Sequence, residues 1–568
     1  MKKKRVCIVA LAALILAVRA FAQDFPAYFE MDGTRIIGCK QEDLPDNLVI
    51  PVGVTAINYG VFQQCMYLES VEIPGSVKEI GEYAFSGCSS LKSAMIAEGV
   101  AKIGSRAFSD CLSLKSVTIA EGVEEIDEYA FSGTALTYIN IPDSVKTLCL
   151  NGCKSLESIT IPEGVTYINF SNCTSLTSVN IPRSVKEIGS SAFKGCSSLK
   201  SVTIANGVTK IGFSAFKGTA LTGINIPNSV KTLYLDGCQS LESITIPEGV
   251  TYIDFSNCTS LTSVIIPGSV KEIGRGAFSG CTSLKSVTIM KGVEEIGYSA
   301  FEGCTALESV EIPSSVTAIR GGSDKQGAFN GCILLTSITI PESVIEIGEG
   351  AFRGSGIKTV TIPKGVKGIG KGAFKDCKLL ESVTLPRSVT AISEEVFTGC
   401  TLLRNISIPK SVTTIGSNAF KGCVSLVVQF DGTKEQWNAV SDSGKWIFST
   451  IRCTDGIIGV TEEIPPYLRL QGTQLIGYYR DKIPNIIVIP EGVTEIGINA
   501  FSSCKLLTSI EIPSSVKKIG AFAFSGCSTL NTVTFTGSVE QWKKVSCGLL
   551  WISDTPCKEI NCIGEKVN

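Results

Sequence analysis

The chain has 568 residues, 44% of them hydrophobic, and a mean hydropathy of +0.27, which excludes a disordered protein and provides for an extensive core. Its 51 basic and 53 acidic residues, with no basic run in the body of the chain, argue against nucleic acid and anionic membranes as partners. Histidine is absent, which removes His-based nucleophilic triads and His-containing metal sites.

Residues 1–22 read as a signal peptide. A basic tip precedes a 13-residue apolar run from Val6 to Val18, and Ala20-Phe21-Ala22 supplies the small-x-small cleavage pattern, so the mature chain is expected to start at Gln23. The run falls short of the ~20 residues that cross a bilayer, and Cys7 lies inside it, ahead of the cleavage pattern, which argues against a lipoprotein anchor. Without this segment 46 basic residues face 53 acidic ones, and no later stretch is long and apolar enough to span a membrane. Export is expected, to the cell surface or medium, with the periplasm as the alternative.

From residue 50 onward the chain repeats. An apolar residue standing before Pro or Ala recurs at Ile50, Ile73, Ile96 and Ile119 and on to Phe430, eighteen markers mostly 23 residues apart with some intervals of 20 or 22. Three more follow at Ile489, Ile512 and Phe535. The unit reads L-x-S-V-x-I-P-x-S-V-x-x-I-G-x-x-A-F-x-G-C-x-S, and a period of 20–29 with L-x-x-V-x-I strands is the signature of a leucine-rich repeat solenoid. In the unit at 68–88, Leu68, Val71 and Ile73 alternate with polar residues as a half-buried strand requires, and Pro74 ends the ladder because it has no N–H. Val77 and Ile80 turn inward again, Gly81 is read as a bend, Ala84-Phe85 as a short helical turn, and Gly87-Cys88 as the return. The fold class is therefore a leucine-rich repeat solenoid, mainly β with short helical turns: a curved array of about 18 strands and a second array of 3.

Units in "VKTLCLNGC" (145–153) and "VTYINFSNC" (165–173) have lost three residues of the I-G-x-x-A-F segment, so they should be thinner on the side away from the long strands. The block 119–204 recurs at 204–289, which points to a tandem duplication; over 155–179 and 240–264 only Asn169 and Asp254 differ. The ends are also duplicated. "MDGTRIIGC" (31–39) matches "LQGTQLIGY" (470–478), and "GTKEQW" (432–437) matches "GSVEQW" (537–542). Solenoids need such caps over their end units. Two modules are expected: 24–456, with 28–50 as N-cap and first strand and 431–456 as C-cap, and 467–568, joined by a linker at 457–466.

The repeat I-P-x-S-V-x-x-I-G-x-x-A-F-x-G-C-x-S-L and the closing "GTKEQW" resemble the BspA-like leucine-rich repeat proteins of bacteria, over nearly the whole mature chain. That resemblance implies a secreted or cell-surface protein, an adhesin for host matrix proteins or for other microbes in some members, and it carries over no ligand motif residue by residue.

Chemistry has little room in such a repeat. Acidic doublets such as Glu124-Glu125 and Glu394-Glu395 sit at its polar positions and read as a solvated face, and the glycines of "GIGKGAF" (368–374) lack dinucleotide-binding spacing. No enzyme, cofactor or metal is expected. Of 23 cysteines, sixteen occupy one repeat position, from Cys65 and Cys88 to Cys527. They read as a column of buried thiols, the alternative being disulfide rungs between coils, and one disulfide is plausible among Cys547, Cys557 and Cys562 in the last cap.

The surface left for binding is the strand face, whose outward positions flank the buried Val in a concave strip roughly 80 Å long. Its first residues are Ser70, Glu72, Met95, Ser116, Thr118, Tyr138 and Asn140, followed by Ser158, Thr160, Ser201 and Thr203. It continues through Ser243, Thr245, Ile265, Ser286 and Thr288 to Ser309, Glu311, Ser337 and Thr339. Met95, Tyr138 and Ile265 interrupt the hydroxyl pattern and are the natural anchors; the alternative is that Ser and Thr are simply soluble strand residues. A five-residue insertion within "RGGSDKQG" (320–327) places Ser323, Asp324, Lys325 and Gln326 in an outward loop, either functional or idle. The function expected is a non-enzymatic, adhesin-like scaffold binding a host matrix or microbial surface protein. The alternative is a glycan- or envelope-binding structural protein in the periplasm.

Overall fold

The computed structural model describes residues 25–322, 326–424, 426–442, 450–460, 464–481, 483–563 and 565–567, so the expected signal peptide lies outside the described residues. The chain divides between Leu261 and Thr262 into two compact units.

The first unit opens with an antiparallel hairpin, Phe29–Asp32 on Arg35–Cys39, bulged between Glu30 and Met31. Two parallel ladders follow, the second of which grows from the hairpin. In one, Asn47–Val49, Ser70–Ile73, Ser93–Ile96 and Ser116–Ile119 stack in register, with Leu48, Val71, Ala94 and Val117 in a buried row. In the other, Ile36, Ile57, Ile80, Ile103, Ile126, Leu148 and Ile168 form a second row. Each of the first full-length coils thus contributes one strand to each ladder, and a one-residue slip would turn these rows to solvent.

Between the ladders of the repeat coils the chain advances by i to i+3 turns, and the one short helix described in this unit is the 3-10 turn Gln41–Asp43 that precedes them. Ala84 N–H bonds to Gly81 C=O (3.2 Å) and Cys88 N–H to Phe85 C=O (3.3 Å). Gly81 opens this turn and also serves a close approach: a Cβ there would lie 2.5 Å from the carbonyl oxygen of Ile57 in the preceding coil. The aromatic of each Ala-Phe pair stacks on its neighbour, with centroids 4.9 Å apart for Phe62 and Phe85, 5.1 Å for Phe85 and Phe108, and 5.4 Å for Phe108 and Phe131. All four rings are fully buried. A coil on its own has no surface against which to bury its ring, so the stack forms cooperatively.

The shortened coils change the pairing on both sides of the stack. Where the turn has lost three residues, the short strands lengthen to three and pair fully, Thr147–Cys149 on Tyr167–Asn169 and Thr232–Tyr234 on Tyr252–Asp254. The opposite ladder opens. Segments 135–142, 155–162, 219–228 and 241–247 form no strand and are linked by single bonds such as Glu157 N–H to Thr137 C=O (3.0 Å) and Glu242 N–H to Thr222 C=O (2.9 Å).

The second unit repeats the scheme. Its long strands run from Ser263–Ile266 through Ser286–Ile289 to Ser309–Glu311, and again from Thr359–Thr361 to Val427–Phe430. The helix Lys434–Asn438 follows, capped by Thr433 and Gln436 in a reciprocal capping box, with Trp437 edge-on to Phe430 at 5.0 Å. Thr450–Cys453 then joins the sheet and turns back antiparallel through Gly456–Gly459. Residues 457–459, within the expected linker, are therefore the return strand of the closing hairpin.

Val460 is wholly buried in a core that extends through Leu468, Phe501, Phe524 and Phe535 to Cys562. This last segment has the same plan as the main array. A bulged hairpin, Leu468–Gln471 on Gln474–Tyr478, opens it. The helix Val539–Trp542, capped by Ser538 and Gln541, and the hairpin Ile560–Cys562 on Glu565–Val567 close it.

Candidate functional site

Alternation along each long strand turns one side chain in two away from the core. In the first unit Ser70, Ser93 and Ser116 form one outward row and Glu72, Met95 and Thr118 the next, with every one of them except Ser70 and Ser93 exposed. Ser70 is half-buried and its hydroxyl bonds to the Asn47 amide oxygen at 2.6 Å. Ser201 and Thr203 pair with Ser178 and Asn180 and are likewise exposed. In the second unit Ile265, Thr288 and Glu311 lie in one row beside Ser286 and Ser309. Met95 is 45% exposed and Ile265 61%.

Eight of the expected strip residues are not on strands. Tyr138, Asn140, Ser158, Thr160, Ser243 and Thr245 fall where the ladder opens beside the shortened coils, though all six remain exposed and Tyr138 is 51% so. Ser337 and Thr339 follow the insertion-bearing coil and are also exposed without a ladder; the next bond along is Lys358 N–H to Thr336 C=O (3.0 Å). The strand face is therefore interrupted beside the shortened coils and again after the insertion-bearing one, where the long-strand ladder does not form.

Ser323, Asp324 and Lys325 lie outside the described residues. The described residues flanking them are joined by Ala328 N–H to Arg320 C=O (3.2 Å), and the Gln326 C=O accepts from Ser299 N–H (3.1 Å). Arg320 itself is clamped by both carboxylate oxygens of Glu295 (2.7 and 2.9 Å) and by Glu346 (2.8 Å), tying three successive coils together.

The cysteine column consists of thiols. Along most of the column Sγ donates to a backbone carbonyl of the preceding coil, as in Cys88 to Phe62 (3.0 Å), Cys111 to Phe85 (3.1 Å) and Cys400 to Phe374 (3.1 Å). Burial pushes the Cys153, Cys377 and Cys423 thiols up to about 12, so they stay protonated and unreactive. In the coils one residue shorter at this turn, Thr134 and Thr219 take the cysteine's place and donate to Phe131 and Phe216 of their own coil, both at 2.8 Å. Cys547, Cys557 and Cys562 are thiols as well. Among the described residues no cluster of His, Cys, Asp or Glu suits a metal ion, and no helix is long and apolar enough to cross a membrane.

Sequence reasoning missed two concave places. One closes the strand face of the main array, where Ser407, Gln429 and Arg452 stand in one row beside the ion pair of Arg387 and Asp431 (3.0 Å) around a cavity of about 440 Å³. The other lies on the turn side of the first unit, around Arg106. The signal for the second was present in the sequence: Tyr83, Arg106 and Tyr129 stand at a repeat position that is elsewhere mostly Gly, Ser or Asn.

No curated protein matches the chain. Among solved structures it resembles a leucine-rich repeat protein from Bacteroides ovatus, 28% identical over 74% of this chain and 97% of that one, with a TM-score of 0.46. A leucine rich cell surface protein from Faecalibacterium prausnitzii is 26% identical over 74% of this chain and 100% of its own, with a TM-score of 0.32. A leucine-rich repeat protein of T. pallidum is 34% identical over 29% and 77%, with a TM-score of 0.26. The BspA type leucine rich repeat region (6 copies) matches residues 41–151, 146–236, 234–323, 325–437 and 478–547. With its repeat region matched over most of its length, this chain belongs to the BspA-type leucine-rich repeat family.

Proposed function

We propose that this protein is an exported, non-enzymatic binding scaffold, adhesin-like, that engages a protein partner through the outward rows of its long strands. The observation that carries the reading is the in-register stacking of exposed Ser, Thr and Glu with isolated large side chains, Met95 beside Glu72 and Thr118, and Ile265 beside Thr288. Short side chains on a rigid ladder lose little entropy on contact, and exposed apolar residues among them supply the buried centre that a protein interface needs. The modules 24–456 and 467–568 are proposed as two such scaffolds, each with its own caps.

The test is binding of the 23–568 chain to immobilised collagen, fibronectin, laminin and bacterial surface protein, paired with protease treatment of intact cells in which an internal marker survives. Saturable binding that weakens in Met95→Ser or Ile265→Ser, with digestion of the protein on intact cells, supports the reading. Protection from protease places the protein in the periplasm and overturns the adhesin reading in favour of an envelope- or glycan-binding role.

A further inference from the structure

Each full-length coil of the first unit passes through the left-handed backbone region just before its Ala-Phe (once Val-Phe) pair. Gly60 occupies that position with φ 62°, and Ser191 and Ser214 do so with φ 61° and 55°. Glycine adopts this conformation without strain and small polar residues tolerate it, whereas bulky side chains resist it. Yet three consecutive coils carry Tyr83 (φ 59°), Arg106 (φ 54°) and Tyr129 (φ 60°) there. Among the described residues of the second unit, large side chains occur at this position only singly, at Glu395 and Phe522.

The three side chains form a sandwich. The Arg106 guanidinium lies 5.4 Å from the Tyr83 ring centre and 5.0 Å from that of Tyr129, and its Nη1 donates to the Tyr83 hydroxyl at 2.8 Å. Held between two rings, the guanidinium is fixed in place with donors to spare. Tyr59, 67% exposed, lies 5.5 Å from Tyr83 and extends the aromatic surface by one coil. Beside the sandwich is a cavity of about 390 Å³, also lined by Gln64, Ser109 and Asp110. Its floor is set by the buried hydroxyls of Ser86 and Ser109, 2.9 Å apart.

We propose that this cavity is a binding site for a neutral oligosaccharide. The guanidinium can only donate hydrogen bonds, the Asp110 carboxylate only accept, and Gln64 and the serines do both. A ligand that satisfies all of them needs adjacent groups that donate and accept, which is what vicinal sugar hydroxyls provide. One cation and one anion side by side favour a neutral ligand over an acidic one, and the polar lining disfavours an apolar one. The row of tyrosines running across coils matches a chain of sugars better than a single one. The site lies on the turn side and is separate from the strand face argued above for protein binding.

The experiment is titration calorimetry of the 23–568 chain with four neutral tetrasaccharides, built from glucose, mannose, xylose and N-acetylglucosamine. Arg106→Gly is the informative variant, because glycine keeps the left-handed backbone without strain and so leaves the coil folded. Saturable binding of at least one sugar, weakened at least about tenfold in Arg106→Gly and in Asp110→Asn but unchanged in Met95→Ser, is the expected result. Absence of saturable binding to all four, or equal binding by Arg106→Gly with an unaltered circular dichroism spectrum, overturns the proposal.

Discussion

The thiol of Cys88 donates to the carbonyl oxygen of Phe62, 3.0 Å away in the preceding coil, and that carbonyl also accepts from the backbone N–H of Cys65. The cysteine therefore acts as a rivet between coils and as a small buried hydrophobe at once. Cys88→Ala removes the donor and leaves a small cavity, and it should lower stability by about 1–2 kcal/mol. Cys88→Ser keeps a donor and should lower it less. The midpoint of guanidinium unfolding followed by fluorescence checks both, and equal losses would show that the bond contributes nothing.

Glycines at different repeat positions should answer differently to the same change. At Gly81 a Cβ would press on the Ile57 carbonyl at 2.5 Å and on Asn58 at 2.7 Å, both backbone, so Gly81→Ala should destabilise by about 1–3 kcal/mol. At Gly368 a Cβ meets nothing within 4 Å, and that glycine lies within the strand Gly368–Ile369. Gly368→Ala should be neutral or stabilise by up to about 1 kcal/mol. Thermal melts of the two variants side by side would decide.

Burial raises the Asp254 carboxyl above its ordinary value, with a smaller push from Asp236, against the hydrogen bonds from Ser256. A raised carboxyl favours the folded state when protonated. Its contribution is thus present at acid pH and is lost as pH climbs from the ordinary carboxyl value through the raised one. The matching position in the duplicated block is the neutral Asn169. Asp254→Asn should therefore stabilise the protein at pH 7 and give no gain near pH 3, measured as the difference in urea midpoint between the two conditions. A gain independent of pH would rule out ionisation as its source.

Arg320 bridges Glu295 and Glu346 from a third coil with its side chain 32% exposed. Arg320→Ala should destabilise by about 1 kcal/mol at low salt and by less at 1 M NaCl, because partly exposed ion pairs are screened. Unfolding midpoints at two salt concentrations test this, and an equal loss in both would show that packing and not charge is at work.

Tyr138 offers a control for the strand face. It is exposed beside an opened ladder and carries no part of the buried rows, so Tyr138→Ser should change stability by less than about 0.5 kcal/mol. The same change is expected to weaken protein binding if the segment 135–142 contributes to the surface. A fall in melting temperature beyond a few degrees would show the ring to be structural.

Much of this architecture follows from the sequence alone, because a solenoid is a local code. Alternation of Leu, Val and Ile with polar residues places the strands, Pro74 ends a ladder for want of an N–H, and matching segments at 31–39 and 470–478 reveal the caps. Tertiary structure decided what depends on neighbouring coils. Ser158 and Thr160 keep the strand pattern in sequence yet lie off any strand, in a segment opposite the lengthened pairing of Thr147–Cys149 on Tyr167–Asn169. That Gly81 must also admit a neighbouring coil depends on where the Ile57 carbonyl lies. The clasp of Arg106 between Tyr83 and Tyr129 joins residues 23 positions apart, in register only once the coils have stacked. Spacing within one coil is written along the chain, whereas contact between coils is a property of the stack.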